Sequence, residues 1–191
     1  MTTRIIYVPG LGDGYHRLRS IALFWWRIWG VSVTPVKIDW YDGRDMNQKM
    51  SLIKTAIDAV PTGSRIVLVG ESAGATLALH TSVEDKRVSR VITLCGVTRP
   101  DTPISSRLRR KVPALDQATN TLPEHFDVSV HSVRAAIDNV VRPRYSSVLG
   151  ARRHTIWFVG HLATIVLCLT VLAPYICLLY TSDAADEEDS V

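Results

Sequence analysis

The stretch "IVLVGESAGATLAL", residues 66–79, places a serine between two glycines where a strand pattern passes into a helix pattern. Four apolar residues precede Gly70, and small residues that suit a helix follow Gly74. A G-x-S-x-G turn in this setting is typical of a sharp bend that presents a nucleophilic serine. Chance supplies the five-residue pattern in about one chain of this length in fifteen or twenty. The flanking strand and helix therefore carry the prediction for Ser72, whose alternative role is a helix N-cap.

Strand and helix patterns alternate along the rest of the chain. Apolar, β-branched runs predict six strands, at 4–10, 31–39, 65–70, 89–96, 128–138 and 154–160. Helical spacing predicts helices at 15–30, 44–60, 73–85, near 144–149 and after Gly160. Because the strands are mostly continuous apolar runs, they indicate a parallel sheet that is covered on both faces. Right-handed crossovers then predict an α/β, doubly wound, mostly parallel six-stranded sheet.

The position of a ligand site follows from that topology. Ligands of doubly wound sheets bind beyond the carboxyl ends of the strands, where the strand order reverses. If the first and third strands are neighbours, the loop "PGLGDG" (9–14) and the turn "GESAG" (70–74) face each other across that crevice. Pro35 favours an edge position for the second strand.

Length, composition and charge indicate one globular domain without nucleic-acid partners. The chain has 191 residues, of which 47% are hydrophobic and 21% charged. Its net charge is +4, but residues 1–176 carry 22 basic and 13 acidic residues, or +9, because five acids fall in the last fifteen positions. The basic clusters at 107–111, 142–144 and 152–154 lack the motifs of nucleic-acid-binding modules. We interpret them as solvated faces.

The cysteines and the N-terminus predict a cytoplasmic protein without a metal site. Cys95, Cys168 and Cys177 show neither C-x-x-C nor zinc-ligand spacing, and their number is odd. Sparse, unpaired cysteines are typical of a reducing compartment. The opening residues "MTTRIIYVPG" enter a strand pattern at once, which leaves no room for a signal peptide.

The C-terminal segment contains two unusual features. Residues 162–180 are free of charge and long enough to span a bilayer. The string "CLLYTSDAADE" (177–187) resembles the translation of a sequencing-library adapter, so we assign 1–176 to the domain and 177–191 to an artefactual, disordered acidic tail. The apolar run then shortens to about fifteen residues interrupted by Pro174, which suits a packed helix and disfavours a membrane span.

Four stretches together resemble the α/β-hydrolase family, and small bacterial single-domain serine hydrolases or esterases in particular. They are "VPGLG" (8–12), "GESAG" (70–74), "AIDNVVRP" (136–143) and "WFVGHLATI" (157–165), and the resemblance extends over nearly all of 4–170. It implies a minimal α/β-hydrolase fold with a small lid or none, and it puts 97–127 at the position of the family's lid insertion. Glu71 is similar to the glutamate of the carboxylesterase elbow G-E-S-A-G.

The same resemblance implies roles for individual residues. Ser72 is the expected nucleophile, Asp138 the acid and His161 the general base, in the order Ser…Asp…His of this fold. The backbone N–H groups of Leu11 and Ala73 are the expected donors of the oxyanion hole. The loop before them departs from the family pattern, because Pro9 stands where the family usually has a histidine.

Each of these residues has a structural alternative. The "VPGLG" loop could be a plain glycine turn, Asp138 could cap a turn at a strand end, and His161 could serve only in packing at a helix start. Asp116 and Asp127 are weaker candidates for the acid, because neither follows a clear apolar strand.

Three functions remain compatible with the sequence. The first is a serine hydrolase that cleaves carboxylic ester or thioester bonds of a small acyl substrate through a covalent acyl-enzyme, with no cofactor. The second is a hydrolase-like protein that binds a ligand without catalysis. The third is a membrane-anchored protein whose C-terminal span is genuine. The sequence does not determine the oligomeric state.

Overall fold

A computed structural model of the protein describes residues 2–179, which form one six-stranded sheet. The strand order is β2-β1-β3-β4-β5-β6, and every neighbouring pair is parallel. This confirms the predicted doubly wound sheet and makes it wholly parallel. The strands are β1 (Thr3–Val8), β2 (Ser32–Pro35), β3 (Arg65–Glu71), β4 (Val88–Leu94), β5 (Ser129–Ile137) and β6 (Arg152–Val159).

Helices cover both faces of this sheet. They are α1 (His16–Phe24), α2 (Met46–Asp58), α3 (Gly74–Glu84), α4 (Ser106–Lys111), α5 (Pro113–Asn120), α6 (His161–Leu169) and α7 (Ala173–Leu178). One buried apolar cluster lies between the sheet and α2, α3 and α5. The second lies between the sheet and α1, α6 and α7. Because β3 is buried on both faces along 66–71, its sequence is a continuous apolar run instead of an alternating one.

The chain reverses its direction of travel across the sheet between β1 and β3. From β1 it passes outward to the edge strand β2, and it then returns to pair β3 with the other side of β1. The carboxyl ends of β1 and β3 are therefore neighbours, which confirms that the loop after β1 and the turn after β3 meet at one crevice. The edge position predicted for Pro35 is also confirmed, because within residues 2–179 β2 pairs with β1 and with no other strand.

Two predicted helices are divided in the structure. The helix predicted at 15–30 is α-helical to Phe24 and continues as a 3-10 turn over Trp25–Trp29, ending at Gly30 with a φ of +72°. The apolar helix predicted after Gly160 ends at Leu169 and resumes as α7. Proline cannot donate a backbone hydrogen bond, so Pro174 is accommodated in the first turn of α7. Within residues 2–179, no helix is long and apolar enough to cross a membrane.

The proposed tail is only partly described, whereas the proposed lid segment is described in full. Residues 177–179 belong to the described chain, where Cys177 and Leu179 are buried, whereas 180–191 lie outside the described residues. The boundary at 176 and the adapter interpretation stay predictions. Segment 97–127 forms α4 and α5, and α5 packs against α2 and α3.

Candidate active site

Ser72 occupies the sharp turn between β3 and α3. Its φ is +48°, a left-handed conformation that side-chain-bearing residues rarely adopt. The glycines on either side are required for close packing, because a Cβ on Gly70 would lie 2.6 Å from the Cα of Ala75, and one on Gly74 would lie 2.2 Å from the carbonyl oxygen of Val8. The turn is thus pressed against β1 and against its own helix. A serine that only capped the helix would not have this backbone conformation, since N-cap residues lie in the extended region.

Ser72, His161 and Asp138 form one chain of hydrogen bonds. The Oγ of Ser72 lies 2.9 Å from Nε2 of His161, and Nδ1 of His161 lies 2.8 Å from Oδ2 of Asp138. Asp138 follows β5, two crossovers after β3, and His161 begins α6 after β6, one crossover further on. The structure therefore brings together the three side chains that the sequence singled out, across 89 positions of chain between Ser72 and His161.

The surroundings of Asp138 keep its carboxylate ionised. Although burial by itself would raise it, the hydrogen bonds from His161 and from the N–H groups of Val140 and Val141 hold the pKa of Asp138 below its ordinary value. An ionised carboxylate can only accept hydrogen bonds. Nδ1 of His161 must then carry a proton, which leaves Nε2 as the acceptor for the hydroxyl of Ser72. The arrangement can remove the serine proton and stabilise the resulting imidazolium.

The loop after β1 lies directly against this turn. A Cβ on Gly10 would fall 2.8 Å from both the carbonyl oxygen of Glu71 and the Cβ of Ser72. Among the described residues, the N–H groups of Leu11 and Ala73 make no backbone hydrogen bond in a turn, loop or cap. Both predicted oxyanion donors thus belong to segments that meet at Ser72. The glycine-turn alternative does not account for this close approach.

The buried ion pair of Arg19 and Glu71 was not predicted from the sequence. Arg19 donates from Nε to Oε2 of Glu71 at 2.8 Å and from Nη2 to Oε1 at 2.6 Å. The hydroxyl of Tyr7 also donates to Oε2, and burial followed by the charge of Glu71 raises the pKa of Tyr7. Glu71 is thereby held beneath the turn. Arg19 lies in a predicted helix where an arginine is expected to face solvent, so the sequence gave no indication of this contact.

Cys95 is a second feature that the sequence analysis missed. It follows β4 with a φ of +47°, and its Sγ, with one carboxylate oxygen of Asp138 and one nitrogen of His161, forms a group whose atoms lie within 4.8 Å of one another. Such a group could hold a metal ion only with a thiolate. Burial, and then the charge of Asp138, raises the pKa of Cys95. Both ring nitrogens of His161 already make hydrogen bonds, to Asp138 and to Ser72, so the group suits a hydrogen-bond chain better than a metal site.

The weaker acid candidates lie away from Ser72. Asp116 is on α5 and pairs with Arg109 at 3.3 Å. Asp127 is exposed and pairs with Lys86 at 2.7 Å. Neither carboxylate contacts His161, so Asp138 is the acid of the observed hydrogen-bond chain.

Solved structures with the same architecture include esterases, a thioesterase domain and other hydrolases, and also an epimerase, BotH, with a TM-score of 0.67 at 13% identity over 94% of this chain and 91% of that one. A pyrethroid hydrolase, PytH, superposes with a TM-score of 0.70 at 14% identity, over 96% of this chain and all of that one. A thioesterase domain from the curacin biosynthetic pathway gives a TM-score of 0.64 at 16% identity, over 92% and 91% of the two chains. A metagenomic carboxyl esterase gives 0.56 at 20% identity, and the match spans 71% of this chain but only half the length of that esterase.

These similarities establish the fold and go no further. No family model matches the sequence, and no curated protein matches it. The chain nevertheless has the minimal α/β-hydrolase fold, with six parallel strands and helices on both faces. These structures share only 12–20% sequence identity with the chain, which is too low to transfer a substrate from them to this protein.

Proposed function

We propose that the protein is a serine hydrolase that cleaves carboxylic ester or thioester bonds through a covalent acyl-enzyme. One observation carries this proposal: the hydroxyl of Ser72, held at a strained turn, is within hydrogen-bond distance of a histidine that is itself oriented by a buried carboxylate. A serine hydroxyl is a poor nucleophile at neutral pH and needs such a base beside it.

The acylation step uses the three side chains in sequence. Ser72 Oγ attacks the acyl carbon while Nε2 of His161 takes the hydroxyl proton, so a new C–O bond forms and the carbonyl electrons move to the oxygen. Asp138 stabilises the imidazolium through its bond to Nδ1. When the intermediate collapses, the bond to the leaving alkoxide or thiolate breaks and His161 returns the proton to that group. The acyl group then remains on Ser72.

Deacylation repeats these transfers with water. His161 takes a proton from the water molecule as it attacks the acyl-enzyme, and it returns the proton to Ser72 as the C–O bond breaks. The N–H groups of Leu11 and Ala73 would stabilise the negative oxygen in both steps, and each such donor lowers the barrier by roughly 3–4 kcal/mol in comparable enzymes. This chemistry needs neither a metal ion nor an organic cofactor.

The structural comparisons favour neither esters nor thioesters as the substrate class. The structural neighbours include a carboxyl esterase and a thioesterase domain. Both bonds break by the same steps, because alkoxide and thiolate leaving groups can each take the proton from His161. The acyl chain and the leaving group are therefore left open within the class of small acyl substrates.

A fluorophosphonate probe separates catalysis from ligand binding without knowledge of the substrate. We expect the full chain to be labelled, and we expect Ser72→Ala and His161→Gln to lose labelling while they keep the melting temperature of the parent within a few degrees. A panel of short-chain esters and thioesters then identifies the preferred bond. A folded parent that takes no label and hydrolyses nothing in the panel would instead favour the non-catalytic, ligand-binding alternative.

A further inference from the structure

The loop of residues 9–13, which contains the proposed oxyanion donor Leu11, is anchored through its carbonyl groups. The indole Nε1–H of Trp40 donates to the carbonyl of Pro9 at 3.1 Å. Arg19 donates from Nη2 to the carbonyl of Leu11 at 3.2 Å and from Nη1 to that of Gly12 at 2.8 Å. The peptide that carries the N–H of Leu11 therefore lies between two peptides whose carbonyls are fixed.

The two anchoring side chains are themselves held rigidly. Arg19 is buried and its remaining donors bind Glu71, the residue immediately before Ser72. Although burial lowers it, the hydrogen bonds with Glu71 leave the pKa of Arg19 raised, so its charge is permanent. Trp40 is also buried, and its own backbone N–H donates to Oδ2 of Asp13 at 3.1 Å. One guanidinium thus connects the loop to the serine turn, and one indole connects it to the segment after β2.

We propose that Arg19 and Trp40 are positioning residues that hold the N–H of Leu11 in place for the oxyanion, a role that rests on the function proposed above. The loop departs from the family pattern at Pro9, and these two side chains hold its backbone in place. Because an oxyanion donor acts on the transition state more than on the bound substrate, loosening the loop lowers kcat and leaves KM nearly unchanged. Neither residue touches the substrate in this proposal.

The chain offers a matched pair of tryptophans for the test. Trp40→Phe removes the indole donor to Pro9, and Trp26→Phe removes a buried indole donor to the carbonyl of Leu169, 2.9 Å long, on the other side of the sheet. Both variants lose one buried hydrogen bond of the same kind. We expect kcat to fall about tenfold in Trp40→Phe with KM within twofold, and both constants to be unchanged in Trp26→Phe. In Arg19→Lys a single ammonium group cannot replace the planar guanidinium that donates to Glu71 and to the two loop carbonyls. This variant should therefore behave like Trp40→Phe.

Hydrogen exchange provides a readout that does not depend on activity. Amide exchange in residues 8–15 should accelerate in Trp40→Phe and stay at the parent rate in Trp26→Phe. Equal kcat values in the two variants, or unchanged exchange in the loop, would overturn the positioning role while leaving the proposed hydrolase intact. A parent enzyme without hydrolase or probe activity would remove the proposed function itself, and the role of Arg19 and Trp40 with it.

A separate observation concerns the outer side of α1 and the 3-10 turn that follows it. Six large apolar side chains there are each more than half exposed, and we call them the apolar surface: Leu18, Ile21, Phe24, Trp25, Ile28 and Trp29. A groove of about 340 Å³ joins Trp25, Ile28 and Trp29 to Val171 and Pro174 at the junction of α6 and α7. A contiguous exposed patch of this kind marks an interaction site.

The charges around the apolar surface are of one sign. Residues 16–30 and 161–179, which form this surface and its groove, contain three arginines and no aspartate or glutamate, and one of the three, Arg19, is buried against Glu71. Arg17 and Arg27 are exposed beside it, and the guanidinium of Arg27 lies 5.1 Å from the ring of Phe24. The acidic residues of 183–189 lie outside the described part of the chain. The natural complement of this surface is therefore both apolar and anionic.

We infer that the apolar surface docks on the headgroup layer of an anionic lipid bilayer. Tryptophan, phenylalanine and arginine together suit that interface, where rings enter the boundary of the acyl chains and guanidinium groups bind phosphates. A second copy of the chain fits less well, because a twofold contact would bring identical basic surroundings together without an acid to pair them. The sequence makes a membrane association unexpected and disfavours a spanning helix, and this peripheral contact is an association of a different kind.

Vesicle sedimentation tests this inference. We expect the full chain to bind phosphatidylcholine vesicles that contain phosphatidylglycerol and to bind pure phosphatidylcholine at least about tenfold more weakly. Trp25→Ser with Trp29→Ser should lower binding about tenfold or more, and Arg27→Gln should weaken binding to the anionic vesicles alone. Trp157→Ser is the control, because Trp157 is exposed on β6 and points away from the face on which its neighbour Ile156 packs with the α6 side.

Two results would overturn the lipid assignment. The first is binding to anionic vesicles that is absent, or equal in the double variant and in Trp157→Ser. The second is a stable dimer of the parent, seen by sedimentation velocity, that the double variant converts to monomer, since the surface would then be an interface between copies of the chain.

Discussion

Ser72 has a backbone conformation that costs free energy and presents its hydroxyl to His161. A φ of +48° is unfavourable for a residue with a Cβ, and the packing of Gly70 and Gly74 against their neighbours enforces it. Cys95, at the end of the adjacent strand, has nearly the same φ, +47°. The N–H of Ser72 donates to the carbonyl of Leu94 at 2.9 Å, so the two strained turns are directly connected.

Asp138 offers the sharpest single-residue test of the proposed mechanism. An asparagine there can still bond to His161, but its NH₂ group can face Nδ1 and select the wrong tautomer, so we expect kcat to fall about 10⁴-fold. Asp127→Asn is the control, since Asp127 is exposed and pairs only with Lys86 among its described contacts. Steady-state hydrolysis of the best ester of the panel measures both variants. Equal activity of Asp138→Asn and the parent would contradict the assignment of the acid.

At the scale of elements, the site depends on how closely the start of α3 approaches the end of β1. Gly74 makes this approach, with the carbonyl oxygens of Val8 and Pro9 in the space that a side chain would need. The contact joins the serine turn to the loop after β1, and it therefore controls both proposed oxyanion donors. Helix α3 carries no acidic residue in its first turn, so no side chain there neutralises the positive end of the helix dipole.

A methyl group at position 74 tests this contact. In Gly74→Ala the Cβ would lie 2.2 Å from the oxygen of Val8 and 2.7 Å from that of Pro9, so β1 and α3 must separate. We expect the free energy of unfolding to fall by at least about 2 kcal/mol and fluorophosphonate labelling to slow. Urea denaturation measures the first effect. Gly14→Ala, where a Cβ meets nothing within 4 Å, should change stability by no more than about 0.5 kcal/mol.

At the scale of the whole molecule, buried and paired aspartates make stability depend on pH. Hydrogen bonds from Arg87, opposed by burial, hold the pKa of Asp85 below its ordinary value of 3.8. Arg87 also binds Asp58 at 2.6 Å, so this group ties the ends of α2 and α3 together. Asp138 has a lowered pKa as well. A carboxyl whose pKa is lower in the folded state stabilises the fold above its unfolded pKa, and this contribution is lost as the pH falls through the folded pKa.

We therefore expect the unfolding free energy to decrease as the pH is lowered from about 5 to about 3. Asp85→Asn should be less stable than the parent at neutral pH. Its unfolding free energy should also decrease less steeply over that pH range, because the carboxyl group that takes up a proton on unfolding has been removed. Urea midpoints at several pH values measure both. Asp101→Asn, at an exposed position, is expected to keep the slope of the parent, and a parental slope in Asp85→Asn would contradict the linkage.

Much of the site was predictable because its residues follow strands. Ser72, Asp138 and His161 each come directly after an apolar run, and parallel strands bring their carboxyl ends to one edge of the sheet. Trp40 and Cys95 also lie at the ends of predicted strands, but neither they nor Arg19 were predicted as parts of the site. Their partners are backbone carbonyls or residues distant in the chain. A local sequence pattern does not indicate which carbonyl a buried donor will bind.

The sequence by itself determined the class of this protein, because periodicity and glycine placement act over a few residues and are readable without the fold. It specified six strands, the turn at Ser72 between two glycines and the order of the three polar residues after their strands. Only the tertiary structure decided that 2.8 Å and 2.9 Å hydrogen bonds join those residues, and that Arg19 and Trp40 anchor the loop after β1. It also decided that nothing within residues 2–179 covers one side of α1. Those features depend on contacts between segments far apart in the chain, and such contacts exist only when the whole sheet has formed.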